Sequence, residues 1–323
     1  MKLKPIFAFI AFFLALPAVF ARNAVFSNED YSIALAYTDT TFPGDAVFVH
    51  MTLTATNKKI AAEATSATLT LLNQDSKQVD KATFYTLSTS KSKSSVDMLC
   101  GVAVTLWQKS GNYTAKVVYK PFGLEQMEFS LPVSVLDKTF VSETIELNET
   151  NTGIRTDASP KRAEQTQKLS RVLTDFDKSA LFQVRKFALP TPETRRTAFF
   201  GDRRVFKYSN GKSDTSYHYG IDFGVPTGSS VTACASGKIV MAEERIVTGW
   251  TVVIEHLPGL FSLYYHLNAL NVQLGQTVKM GDIIGQSGST GLATGPHLHW
   301  QMSLNGQAVN PDFFTNDFAF IEE

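Results

Sequence analysis

Four polar groups on two short extended segments constrain this chain most. His218 and Asp222 stand four apart in His218-Tyr219-Gly220-Ile221-Asp222, and His297 and His299 stand two apart in Gly295-Pro296-His297-Leu298-His299-Trp300. Gly220 and the run Phe223-Gly224-Val225-Pro226 argue against a helix around the first pair. In extended backbone an even spacing sends side chains to one side of a strand, so each pair is expected to share a face. Leu298 and Trp300 then turn to the packed side. Four polar groups can therefore converge from two strands. Five of the six histidines lie between His218 and Trp300, and His266 adds a fifth polar group to the four.

Histidine is the commonest metal ligand and titrates near neutral pH, so this clustering calls for a chemical reason. A catalytic zinc takes three protein ligands from His, Asp, Glu or Cys and leaves a position open for water. One His-x-His is weak evidence, because polar residues commonly alternate on strands. Both pairs in one domain, with a third histidine between them, point to a metal site.

The surrounding residues, from about Thr197 to Phe314, read as strands punctuated by glycine. Val252 to His256 and Phe261 to His266 flank Leu257-Pro258-Gly259-Leu260 as a hairpin. With a four-residue loop, His256 pairs with Phe261 and lies on the face opposite His266, as a structural histidine. Tyr264 shares the His266 face and is a candidate for lining a substrate groove. Gly228–Val231 leading to Gly237–Val240 resembles Gly275–Val278 leading to Gly281–Gly285. Biotin and lipoyl carrier domains also use such a strand–turn–strand unit, but they present a lysine at a hairpin tip, and no such tip is found here.

These residues resemble the lysostaphin/LytM-type zinc endopeptidases. The resemblance rests on His218-x-x-x-Asp222, Tyr264-x-His266-Leu267 and Gly295-Pro296-His297-Leu298-His299. Gly201-Asp202-Arg203, Gly275-Gln276-x-Val278-x-x-Gly281 and Gly288-Ser289-Thr290-Gly291 support it. It covers residues 199–312. It implies that His218, Asp222 and His299 bind one Zn2+, while His266 and His297 act on the water and the scissile carbonyl. Two neutral imidazoles and one carboxylate would leave a zinc site with a net charge of about +1, which acidifies bound water and polarises a carbonyl. Arg203 is a candidate substrate contact. The implied activity is hydrolysis of peptide cross-links in bacterial peptidoglycan, with stem peptides as partners. The alternative is a non-catalytic cell-wall regulator that activates an amidase; such relatives have lost zinc ligands, and the intact set here favours the enzyme.

The rest of the chain fits an exported protein. Met1-Lys2-Leu3-Lys4, the apolar run Ile6–Leu16 and Val19-Phe20-Ala21 read as a signal peptide over residues 1–21, too short for a membrane span. The periplasm or the extracellular cell envelope is the expected location. Residues 22–136 alternate with period two, as in Val47, Val49, Met51 and Leu53 against Phe48, His50, Thr52 and Thr54. They are expected to form an immunoglobulin-like β-sandwich, a positioning module or a plug over the groove, with His50 in a surface or structural role. Residues 137–196 read as a linker, with a helix over about 160–185 that starts at Ser159-Pro160. The fold class is therefore mostly β: the sandwich, the linker helix and an antiparallel β-sheet metallopeptidase domain at 197–323. Thirty basic residues balance thirty acidic ones, which gives no support for nucleic-acid binding. Cys100 and Cys234 lie in different expected domains and are read as unbridged and non-catalytic.

Overall fold

The structure, a computed structural model, describes residues 21–56, 65–91, 94–183 and 185–316. Residues 1–20 of the leader expected over 1–21 lie outside the described residues, and Ala21 opens the first strand. Among the described residues no helix is long and apolar enough to cross a membrane. The chain is mostly β and forms two compact units. The first takes residues through Thr41 with 47–102 and 111–136; the second takes 42–46, 103–110 and everything from Asp137 onward.

The first unit contains two five-stranded sheets. One runs in the order Ala21–Ser27, Tyr31–Thr38, Ala46–Ala55, Ser95–Ala103, Tyr85–Thr89; the other runs Thr40–Thr41, Met127–Val135, Gly111–Lys120, Ser66–Leu72, Gln78–Thr83. Alternate residues of both are buried, among them Ile33, Leu35, Leu69, Leu71, Val117 and Leu131. The Tyr31 and Tyr119 hydroxyls meet at 3.1 Å, and the Phe26 and Phe129 rings stack 5.5 Å apart. His50 Nε2 and Thr52 Oγ1 both bond Asp97 Oδ1, a local network with no second histidine in it.

The second unit is built on a large antiparallel sheet. Its order is Arg196–Ala198, Ile221–Phe223, Leu298–Leu304, Leu260–Leu267, Gly249–Leu257, Gly237–Arg245, Thr277–Val278, with Gln307–Val309 paired to Leu298–Leu304. Two three-stranded sheets flank it: Ser142–Glu146, Arg203–Lys207, Ser213–Tyr217, and Ser230–Thr232, Ile283–Gln286, Ala269–Leu270. The two similar glycine-led segments pair with each other, Gly237 with Val278 and Val231 with Gly285. Trp300, Tyr264, Phe223 and Phe261 are fully buried.

The hairpin turn holds two residues, Pro258 and Gly259, with Leu257 paired to Leu260 and Gly259 at φ +79°. A bulge at His256 restores the pairing of Glu255 with Phe261, so His256 does not pair with Phe261. The linker also departs from expectation. Asn148 caps a helix α1 (Glu149–Thr156) in a stretch whose threonines and glycine hide any apolar period. Helix α2 (Pro160–Thr174) starts at the Ser159 cap as expected but stops well short of residue 185. Its Leu169, Val172 and Leu173, with Phe176 beyond, pack on Met241, Val253, Phe261, Leu263 and Tyr265, so α2 covers the outer face of the sheet. Cys100 and Cys234 are buried free thiols.

Phe261 is 0 % exposed at the centre of this packing. Phe261→Ala should lower unfolding free energy by about 3–5 kcal/mol in urea titrations, the ordinary cost of removing a buried aromatic ring. The hydrogen bonds of His256 to Ser236 O and Ser262 Oγ seat it in the core, where burial pushes its pKa down to about 4. The folded value lies below the unfolded value, so stability is full above about pH 6.5 and is lost as pH falls towards 4. Linkage sets that loss at roughly 3 kcal/mol. Unfolding at about pH 7 and pH 4 should show a loss smaller by that amount in His256→Gln.

Candidate metal centre

His218 and Asp222 meet by a bend. His218 follows the Ser213–Tyr217 strand of one sheet, whereas Asp222 lies in Ile221–Phe223 of another. Gly220 turns the chain between them, where a Cβ would lie 2.4 Å from Trp300 O and 2.6 Å from His299 Nε2. The Asp222 strand pairs with the Leu298–Leu304 strand, which sets Asp222 opposite His299. Leu298 and Trp300 point into the core, so His299 faces outward into the cleft.

Three ligand atoms converge. His218 Nε2 lies 3.0 Å from Asp222 Oδ1 and 3.0 Å from His299 Nδ1, and His299 Nδ1 lies 2.9 Å from Asp222 Oδ1. Tetrahedral ligands on zinc bonds of 2.0–2.2 Å stand about 3.4 Å apart, so a shift of a few tenths of an ångström admits the ion. The outer nitrogens have their own acceptors: His218 Nδ1 bonds Phe199 O at 2.8 Å, and His299 Nε2 faces Gln301 Oε1 at 3.4 Å. With those nitrogens protonated, lone pairs from two imidazoles and a carboxylate point at one spot. A cation satisfies that arrangement, and this N, N, O donor set suits zinc. Among the described residues, these three form the group able to hold a metal.

His266 and His297 stand beside the triangle, their ring centroids 4.7 Å apart. His266 Nδ1 bonds Thr290 O and His297 Nδ1 bonds Gly295 O, both at 2.8 Å, which leaves each Nε2 for the cleft. His297 Nε2 lies 3.9 Å from Asp222 Oδ1. Burial, with His297 and His299 alongside, pushes the His266 pKa down to about 3 and keeps the ring neutral. Burial also lowers His299, against the pull of Asp222. For Asp222 burial raises the carboxyl pKa, but the adjacent His218 and His299 outweigh it and hold the group ionised.

The two remaining candidates lie elsewhere. Tyr264 is in the core, its hydroxyl bonded to Cys234 N and Ser262 Oγ, away from the cleft. His266 adopts a left-handed backbone (φ +60°), which breaks the period-two parity, so Tyr265 takes the cleft side and stacks on His299 at 5.0 Å. Arg203 is exposed, whereas Arg204 enters the site with its Nη2 2.7 Å from Asp222 Oδ2. His256 stays in the core, apart from the other four histidines.

The cleft has a volume near 490 Å3 and opens over these groups. Helix α1 crosses it from rim to rim. Arg155 bonds Asp214 and Ser216, Thr152 Oγ1 accepts from Ser209 N, and Asn151 Nδ2 donates to Ala293 O on the opposite rim.

The sequence profile of Peptidase family M23 matches residues 216–311. The catalytic domain of lysostaphin from Staphylococcus simulans is 30% identical over 45% of this chain and 96% of that one, with a TM-score of 0.30. The chain belongs to peptidase family M23. The DD-carboxypeptidase/endopeptidase Mpg of Neisseria meningitidis serogroup B is 45% identical over 29% of this chain and 22% of its own length. The peptidoglycan DD-endopeptidase ShyA of Vibrio cholerae is 41% identical over 29% and 22%. The chain thus spans about a quarter or less of the length of such curated M23 relatives. A putative M23 peptidase of Pseudomonas aeruginosa shares the fold across 86% of this chain and 96% of that one, with a TM-score of 0.54 and 22% identity.

A methyl at position 220 of the M23 domain would collide with backbone and with a ligand ring. Gly220→Ala should therefore weaken any metal binding at this centre by about tenfold or more, as measured by competition with a chromophoric chelator.

Proposed function

We propose that the chain is a zinc-dependent endopeptidase that hydrolyses peptide cross-links of bacterial peptidoglycan. The observation that carries this reading is the triangle of His218, Asp222 and His299 with two further imidazoles beside it. The names of its relatives, peptidoglycan DD-endopeptidase ShyA and glycyl-glycine endopeptidase ALE-1, support the substrate class. Action on cell-wall peptide would place the protein outside the cytoplasm.

Zinc held by His218 Nε2, Asp222 Oδ1 and His299 Nδ1 would supply Lewis acidity, lowering the pKa of water and polarising the scissile carbonyl. The chain's own groups move the protons. With Nδ1 tied to a backbone carbonyl, His266 and His297 each present an Nε2 lone pair to the cleft. The pair accepts the proton of the attacking water. The imidazolium so formed donates to the developing oxyanion and then gives its proton to the leaving amine. The rim-to-rim α1 helix and the Tyr265 ring confine the peptide over these groups.

Incubating purified peptidoglycan with the protein should release fragments bearing new amino groups, detected by mass spectrometry, and a chelator should abolish the release. His297→Ala should retain zinc but lose activity by about 10²-fold or more, the usual contribution of a positioned acid–base group. Stimulation of a cell-wall amidase without any release at any zinc concentration would overturn the reading.

A further inference from the structure

Asp222 offers two carboxylate oxygens, and only Oδ1 belongs to the ligand triangle. Oδ2 accepts from Arg204 Nη2 at 2.7 Å, and Arg204 Nε donates to Glu143 Oε1 at 2.8 Å. Register places these groups. Glu143 pairs with Arg204 across parallel strands, and Arg204 pairs with Ser216 across antiparallel ones, so all three line the same cleft. Both Glu143 and Arg204 lie outside the residues that match the family profile.

We propose that Arg204 and Glu143 form a positioning relay that fixes Asp222 as a one-oxygen metal ligand; this rests on the zinc reading above. Arg204 is 16 % exposed and Asp222 7 %, so the contact is shielded from water. The guanidinium holds Oδ2 at a fixed angle and so aims Oδ1 at the two imidazole nitrogens. Unopposed, its positive charge would also repel a dication. Glu143 cancels that charge: the pair is neutral, and the negative charge of Asp222 remains for the metal. Orienting the groups behind a ligand typically changes metal affinity by about 10–100-fold.

Zinc affinity, measured by chelator competition on the whole chain, reads the relay independently of activity. Arg204→Gln should weaken binding by about tenfold or more, and excess zinc should restore part of kcat. Glu143→Gln, at a half-exposed position, should weaken it in the same direction by exposing the Arg204 charge. The double variant should bind no more weakly than Arg204→Gln, because Glu143 acts through Arg204. Arg204→Lys, which keeps the charge without the fork, should fall between wild type and Arg204→Gln. Circular dichroism identifies any variant that has lost its fold; Glu143→Gln then decides alone. Unaltered zinc affinity in the folded variants overturns the relay, whatever happens to KM. Absence of zinc binding by the wild-type chain overturns the metal reading as well.

Discussion

A carboxylate removed from water must be surrounded by donors or cations, and Asp222 imposes that requirement on the whole second unit. Isolated, the charge would cost far more than a small domain can absorb, and the group would take up a proton instead. Here Arg204 donates to Oδ2, and the lone-pair nitrogens of His218 and His299 face Oδ1 around the point where a cation would complete the set. Each partner arrives from a different strand or loop. Satisfying one buried charge therefore requires several segments to be correctly placed at once, and that same placement leaves lone pairs converging on one point.

The sheet supplies that placement through close contacts. Gly220 passes against Trp300 O with no room for a side chain, which lets His218 and Asp222 approach from separate sheets. Trp300 and Leu298 anchor the His299 strand from its other face. Helix α2 seals the outer side of the sheet through Leu173, and the packed residues include Tyr265, whose ring stacks on His299. Core packing and ligand orientation are thus coupled through neighbouring residues of a single strand.

The segment from Ser142 to Thr156 lies outside the matched residues of the M23 domain, yet it builds one wall of the cleft. Its strand adds in parallel to the Arg203–Lys207 strand, and α1 then ties the two rims together.

The local pattern of residues determined much by itself. Even spacings of histidine and aspartate in glycine-punctuated strands pointed to groups that converge, and His218, Asp222 and His299 do come together. Period-two alternation likewise marked the β-rich units, and Ser159-Pro160 marked the start of α2. Tertiary structure decided what depends on parity and long-range pairing. One left-handed residue, His266, exchanged Tyr264 for Tyr265 in the cleft, and a bulge at His256 reset the hairpin. Arg204 displaced its neighbour Arg203 because a strand starting at Ser142, far away in sequence, fixed which face looked inward. Side-chain chemistry is written in the sequence residue by residue, but direction depends on the sum of backbone torsions, and one irregular residue reverses it.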